Sequence, residues 1–149
     1  MRYCRALAIL AFIPPQAFAA DELPKELLLR CEGNMNAVLE APNHPQSRSA
    51  GFSVNLRLKD RSIVDAQTGV VEGADCVQQN GEIKCEATKL YPLPNSVIKR
   101  FSTVFLNRNT RELTLWLESW DFEGSDASGT PTGHLRVLRT GTCRDDAVF

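Results

Sequence analysis

The stretch GFSVNLRLK, residues 51–59, alternates without a break. Phe52, Val54, Leu56 and Leu58 share one face, and Ser53, Asn55, Arg57 and Lys59 the other. A period of two is that of a half-buried strand. ELLLRCEG (26–33) sets Leu27, Leu29 and Cys31 on one face, and SIVD (62–65) follows a tight Asp60-Arg61 turn that pairs Leu58 with Ile63. RFSTVFLN (100–107) and ELTLWLESW (112–120) flank RNTR, a short hairpin loop, and HLRVLRT (134–140) is the last strand. Strand-sized segments recur at roughly ten-residue spacing with no helical stretch between them, which predicts an all-β fold, a single antiparallel β-barrel or sandwich of about eight strands. Segment 34–42, NMNAVLEAP, suits a strand or a short helical turn. Residues 40–50, EAPNHPQSRSA, read as a mobile surface loop punctuated by proline. Residues 121–133, DFEGSDASGTPTG, are long for a hairpin connection, and such a loop is either functional or simply floppy.

Within ADCVQQNGEIKC (74–85), Asn80-Gly81 is the preferred pair for a two-residue type I′ turn, whose central residues both need positive φ. That turn pairs Gln79 with Glu82, Gln78 with Ile83, Val77 with Lys84 and Cys76 with Cys85. The cysteines then occupy a non-hydrogen-bonded site, where Cα atoms stand about 4.5 Å apart. A disulfide there staples an exposed hairpin end and contributes about 2.7 kcal/mol by chain entropy. Zinc is the rival reading, but the gap between the cysteines is too wide for a Cys-x₂₋₄-Cys knuckle, and only His44 and His134 are available, so no metal is expected. Elimination leaves Cys31 to bridge Cys143, closing a far longer loop that is worth about 5 kcal/mol.

Export changes the picture of the N-terminus. Arg2 and Arg5 precede a short apolar run, Ala6 to Ile13, and Ala17-Phe18-Ala19 offers small residues for signal peptidase. Residues 1–19 therefore read as a signal peptide and 20–149 as one all-β periplasmic or secreted domain. The apolar run is too short to span a hydrocarbon core of about 30 Å, so no membrane anchor is expected after cleavage. Cleavage removes Cys4 and leaves four cysteines, an even number that favours disulfides in an oxidising compartment. It also takes the net charge from −1 to −3, and with no basic arm the chain gives no sign of a nucleic-acid partner.

Candidate chemistry gathers at one end of the 112–120 strand. Leu113, Leu115 and Leu117 alternate with Trp116 and Trp120, so both faces of this strand carry apolar side chains. A loop of Asn109, Thr110 and Arg111 sets Val104 opposite Trp116, Phe105 opposite Leu115 and Arg100 opposite Trp120. The adjoining ESWDFEGSD places Glu118, Asp121, Glu123 and Asp126 around Trp120 and Phe122. Acids beside aromatics suit a cation, a sugar or a basic protein, which makes Trp120, Asp121, Phe122, Glu123 and Asp126 the candidate binding residues. The glycine of this stretch is misplaced for a calcium loop. There is no Gly-x-Ser-x-Gly, no free thiol, no phosphate-binding glycine loop and no histidine motif, so no catalytic residue and no cofactor are assigned. His134 reads as a structural or exposed histidine.

CEG near the exported start, the C-x₈-C hairpin, LNRNTREL and a closing GTC together resemble small exported bacterial β-proteins of unknown function. In those proteins the LNRNTREL stretch often reads Asp-Arg-x-Thr-Gly; here Asn107 and Arg111 stand in place of the acid and the glycine. The resemblance implies a periplasmic β-domain and no catalytic residues. More distantly, the layout is similar to the periplasmic inhibitors of c-type lysozyme, without their serine-glycine and TKG-like motifs. Three functions are therefore expected in order: a non-enzymatic binding or interaction module of the cell envelope, whose partner is an envelope protein or a glycan; a small glycan hydrolase using two of Glu118, Asp121, Glu123 and Asp126; and a lysozyme-inhibitor-like protein.

Overall fold

A computed structural model describes residues 22–42, 45–65 and 74–145. The signal-peptide reading falls outside these residues. Eight strands follow in order: β1 Glu26–Glu40, β2 Gln46–Lys59, β3 Ser62–Asp65, β4 Ala74–Gln79, β5 Glu82–Pro92, β6 Ser96–Asn107, β7 Glu112–Glu123 and β8 Gly133–Asp145. Each pairs antiparallel with the next, and β8 returns to β1, so the sheet closes into a barrel. Segment 34–42 is strand as far as Glu40, and β2 begins at Gln46, inside the stretch expected to be loop. Among the described residues no helix is long and apolar enough to cross a membrane.

Two tight turns follow the chemistry of their residues. Asp60 and Arg61 take φ of 50° and 63°, and Asn80 and Gly81 take 53° and 76°. Leu58 accordingly pairs with Ile63, and the β4–β5 register is the one Asn80-Gly81 dictates. The β6–β7 turn departs from expectation. Its loop has four residues, 108–111, so Thr103 faces Trp116, Val104 faces Leu115, and Trp120 faces Lys99 instead of Arg100. One residue of slip would set a core side chain against an outward one along the whole ladder. The adopted register aligns Val104 and Leu106 with Leu115 and Leu113. Asn107 Oδ1 holds the turn by accepting from the backbone N–H groups of Asn109 and Thr110. Arg111 closes it at φ 62°, the left-handed region that a glycine would enter without strain.

Both disulfides form, Cys31–Cys143 and Cys76–Cys85, each with Cα atoms 4.0 Å apart. They fit an oxidising, non-cytoplasmic location. Cys31–Cys143 joins directly paired residues of β1 and β8, across the seam where the sheet meets itself. Cys76–Cys85 does not cap an exposed end: both residues are fully buried. Alternation turns them into the barrel, where they pack with Leu29, Leu56, Ile63, Val104 and Leu115.

Following cross-strand partners around the barrel leads from Glu26 through Lys59, Ser62, Asp75, Glu86, Thr103, Trp116 and Leu138 to Asn36. The circuit returns to β1 at residue 36 after leaving it at 26, a stagger of ten residues. Such a stagger tilts the strands and sets the width of the lumen. The wall is uneven. β3 pairs with β2 only over Leu56–Lys59, and β4 pairs with β5 only as far as Glu86. Above those points β2 and β5 are each paired on one side among the described residues; the packed floor lies below this level and the mouth above it.

Candidate functional site

The outer face of β7, β8 and β1 carries the aromatic end of the expected site. Alternation points Leu113, Leu115 and Leu117 inward and leaves Trp116, Glu118 and Trp120 outside, all three half-buried. Trp120 is the cross-strand partner of His134, and His134 that of Glu40. The Trp120 and His134 rings stack, their centroids 5.1 Å apart and their planes 10° from parallel. Stacking of this kind holds both rings in one orientation.

His134 lies between two carboxylates. Its Nδ1 is 3.4 Å from Glu40 Oε2, and its Nε2 is 4.0 Å from Glu118 Oε2. Nε2 is buried and has no hydrogen-bond partner among the described residues. Arg136, the cross-strand partner of Glu118, donates a short hydrogen bond to Glu40 Oε1. One guanidinium therefore occupies Glu40, while among the described residues Glu118 has only the distant histidine. Over the ring pair opens a cleft of about 470 Å³ walled by Pro42, Pro45 and Pro131, with Glu40 at its edge. Proline fixes φ, so these walls are stiff where the chain turns. Among the described residues, no three His, Cys, Asp or Glu side chains converge to hold a metal.

The other expected binding residues do not join this cleft. Asp121 leaves the opposite face of β7 and is exposed; its backbone oxygen accepts from the N–H and hydroxyl of Thr132. Phe122 is buried against its partner Val97, and Glu123 is exposed opposite Ser96. Asp126 lies in the loop between β7 and β8, where the Ser128 hydroxyl and then its backbone N–H bond to the carboxylate and hold its pKa below the ordinary aspartate value. The loop is pinned at both ends, Gly124 N–H to Asn95 O at 3.1 Å and Thr132 N–H to Asp121 O at 2.7 Å.

Of the acids weighed for a hydrolase, Glu118 and Asp121 point away from each other through the thickness of the sheet and form no facing pair. The residues that sequence reasoning passed over are Glu40 and His134. Their only sequence signal is even spacing on outward strand positions; their meeting with Trp120 depends on the register of β8. Comparison with known protein families, curated proteins and solved structures finds no match.

Proposed function

We propose that the protein is an exported, non-enzymatic binding module of the cell envelope that holds a glycan against the Trp120–His134 platform. One observation carries this reading: a stacked ring pair at the base of an apolar, proline-walled cleft, with the Glu40 carboxylate at its edge. Clefts with apolar walls and a few convergent polar groups are the usual form of small-ligand sites. An aromatic face accepts the apolar face of a sugar ring, and Glu40, at the edge of the cleft, is placed to accept hydrogen bonds from sugar hydroxyls. Delivery to the periplasm or the exterior is supported by Arg2 and Arg5 ahead of an apolar run, by Ala17-Phe18-Ala19, and by the two disulfides.

The test is a titration of the purified protein with envelope-derived oligosaccharides, followed by tryptophan fluorescence. Saturable binding is expected, weakened about tenfold or more in Trp120→Ala, a loss comparable to burying and stacking one aromatic ring. Trp116→Phe, outside the cleft, keeps the affinity. Unchanged binding by Trp120→Ala, or no binding of any oligosaccharide, defeats the proposal. Hydrolysis of a bound glycan that disappears in Glu118→Gln replaces the non-enzymatic reading with the enzymatic one.

A further inference from the structure

Two arginines on the inner face of the barrel mouth form no ion pair among the described residues. Alternation turns Arg100 of β6 and Arg139 of β8 into the lumen, on the same faces as Val104 and Cys143. Each has a buried Nε with no hydrogen-bond partner among the described residues.

The barrel stagger brings the two arginines to one level. Ten residues over eight strands is about 1.25 residues per strand, which places Arg139, Leu117, Arg100 and Phe52 within about two residues of the same height. The fully buried side chains Leu115, Val104 and Leu56 lie below them as a closed floor. Each guanidinium lies over a ring: Arg100 Cζ is 4.9 Å from the Tyr91 centroid, and Arg139 Cζ is 5.7 Å from that of Phe52. An arginine held by its face against an aromatic ring keeps its N–H donors in plane, in the fork that fits two oxygens of one carboxylate or phosphate.

We infer that the barrel mouth is a binding site for a small organic oxyanion, a carboxylate or a phosphate monoester, whose charged group lies between Arg100 and Arg139 and whose apolar body rests against Phe52 and Tyr91. The buried side chains of Leu115, Val104 and Leu56 beneath the arginines favour a ligand with a compact body. The site is on the other side of the sheet from the Trp120 cleft and does not depend on it.

Nuclear magnetic resonance of the arginine Nε–Hε groups in the disulfide-bonded protein tests this with three probes: benzoate, phenyl phosphate and neutral benzamide. Benzoate, phenyl phosphate or both are expected to move the Arg100 and Arg139 signals saturably, and which of them does so identifies the anion; benzamide is expected to leave the signals unmoved. Arg100→Gln and Arg139→Gln should each weaken the anion by about tenfold or more, as loss of a charge-assisted pair does. Arg100→Lys and Arg139→Lys, which keep the charge and lose the fork, should fall between, and they decide the matter if a glutamine variant does not fold. Benzamide binding as tightly as benzoate, variants that bind like the parent, or no saturation by either anion at millimolar concentration overturns the inference.

Discussion

Gly33 and Gly141 stand opposite each other across the β1–β8 seam, and a Cβ on either would come within 2.2 Å of a backbone oxygen of the other strand. The seam closes this tightly only because neither residue has a side chain. Backbone cannot yield as a side-chain end can, so Gly33→Ala and Gly141→Ala should each cost about 3 kcal/mol, the upper range for overpacking. Gly51→Ala is the control, since its nearest neighbour would be Gly33 O at 3.8 Å. It should stay within about 0.5 kcal/mol of the parent, as surface changes do. Urea denaturation of the three variants measures the contrast.

The two disulfides should differ in worth. They span 112 and 9 residues. Both are buried in the core, so their removal leaves similar packing losses and the difference falls to the unfolded chain. Loop entropy then makes loss of Cys31–Cys143 about 2 kcal/mol more destabilising than loss of Cys76–Cys85. Paired Cys→Ala variants, compared by chemical denaturation, give the answer directly; equal losses would count against the entropic account.

Arg111 combines an unfavourable backbone with a favourable side chain. It takes φ 62°, while its guanidinium forms a two-pronged pair with Asp145 at 2.9 and 2.8 Å. Both side chains are well exposed, so the pair contributes less than about 1 kcal/mol. Relief of left-handed strain is worth about 1 kcal/mol. Arg111→Gly should therefore be within about 0.5 kcal/mol of neutral, whereas Arg111→Val, which keeps the strain, adds a branched Cβ and loses the pair, should cost about 2 kcal/mol. Thermal melts of the two variants separate these outcomes.

Acid should release the Asp126 turn late. Hydrogen bonds from Ser128 favour the ionised carboxylate and lower its pKa in the folded loop. The folded value lies below the unfolded one, so the stabilisation is complete above the unfolded value and is lost as pH falls through the folded one. The Ser128 amide resonance should titrate with a midpoint below that of an ordinary aspartate, and in Asp126→Asn the transition should vanish. A midpoint at or above the ordinary value would show that these bonds do not form.

Much of this barrel was legible along the chain, because alternation and turn chemistry are local. Leu27, Leu29 and Cys31 share a face because successive side chains of any strand leave opposite sides. Asn80-Gly81 set the β4–β5 register because few other pairs enter a type I′ turn at so little cost. The same locality explains the misreading at β6–β7. Trp116 and Trp120 make the outer face of β7 nearly as apolar as the inner one, and RNTR serves a three-residue or a four-residue loop. Neither signal could choose the register until Val104 and Leu106 had to meet Leu115 and Leu113 inside a closed core.

The candidate sites were less legible, since each depends on distances accumulated over several strands. Trp120 and His134 are separated by a loop whose length does not state which residue of β8 will stand opposite Trp120. Arg100 and Arg139 can be assigned to an inner face by counting in twos, but their common level above the floor follows from the ten-residue stagger of the whole barrel. By itself, then, the sequence determined which side chains share a face and where the chain turns back, because those follow from the backbone of a few neighbouring residues. Which faces meet, and at what height, only the tertiary structure decided, because barrel closure sums the register of every strand pair and no single segment contains that sum.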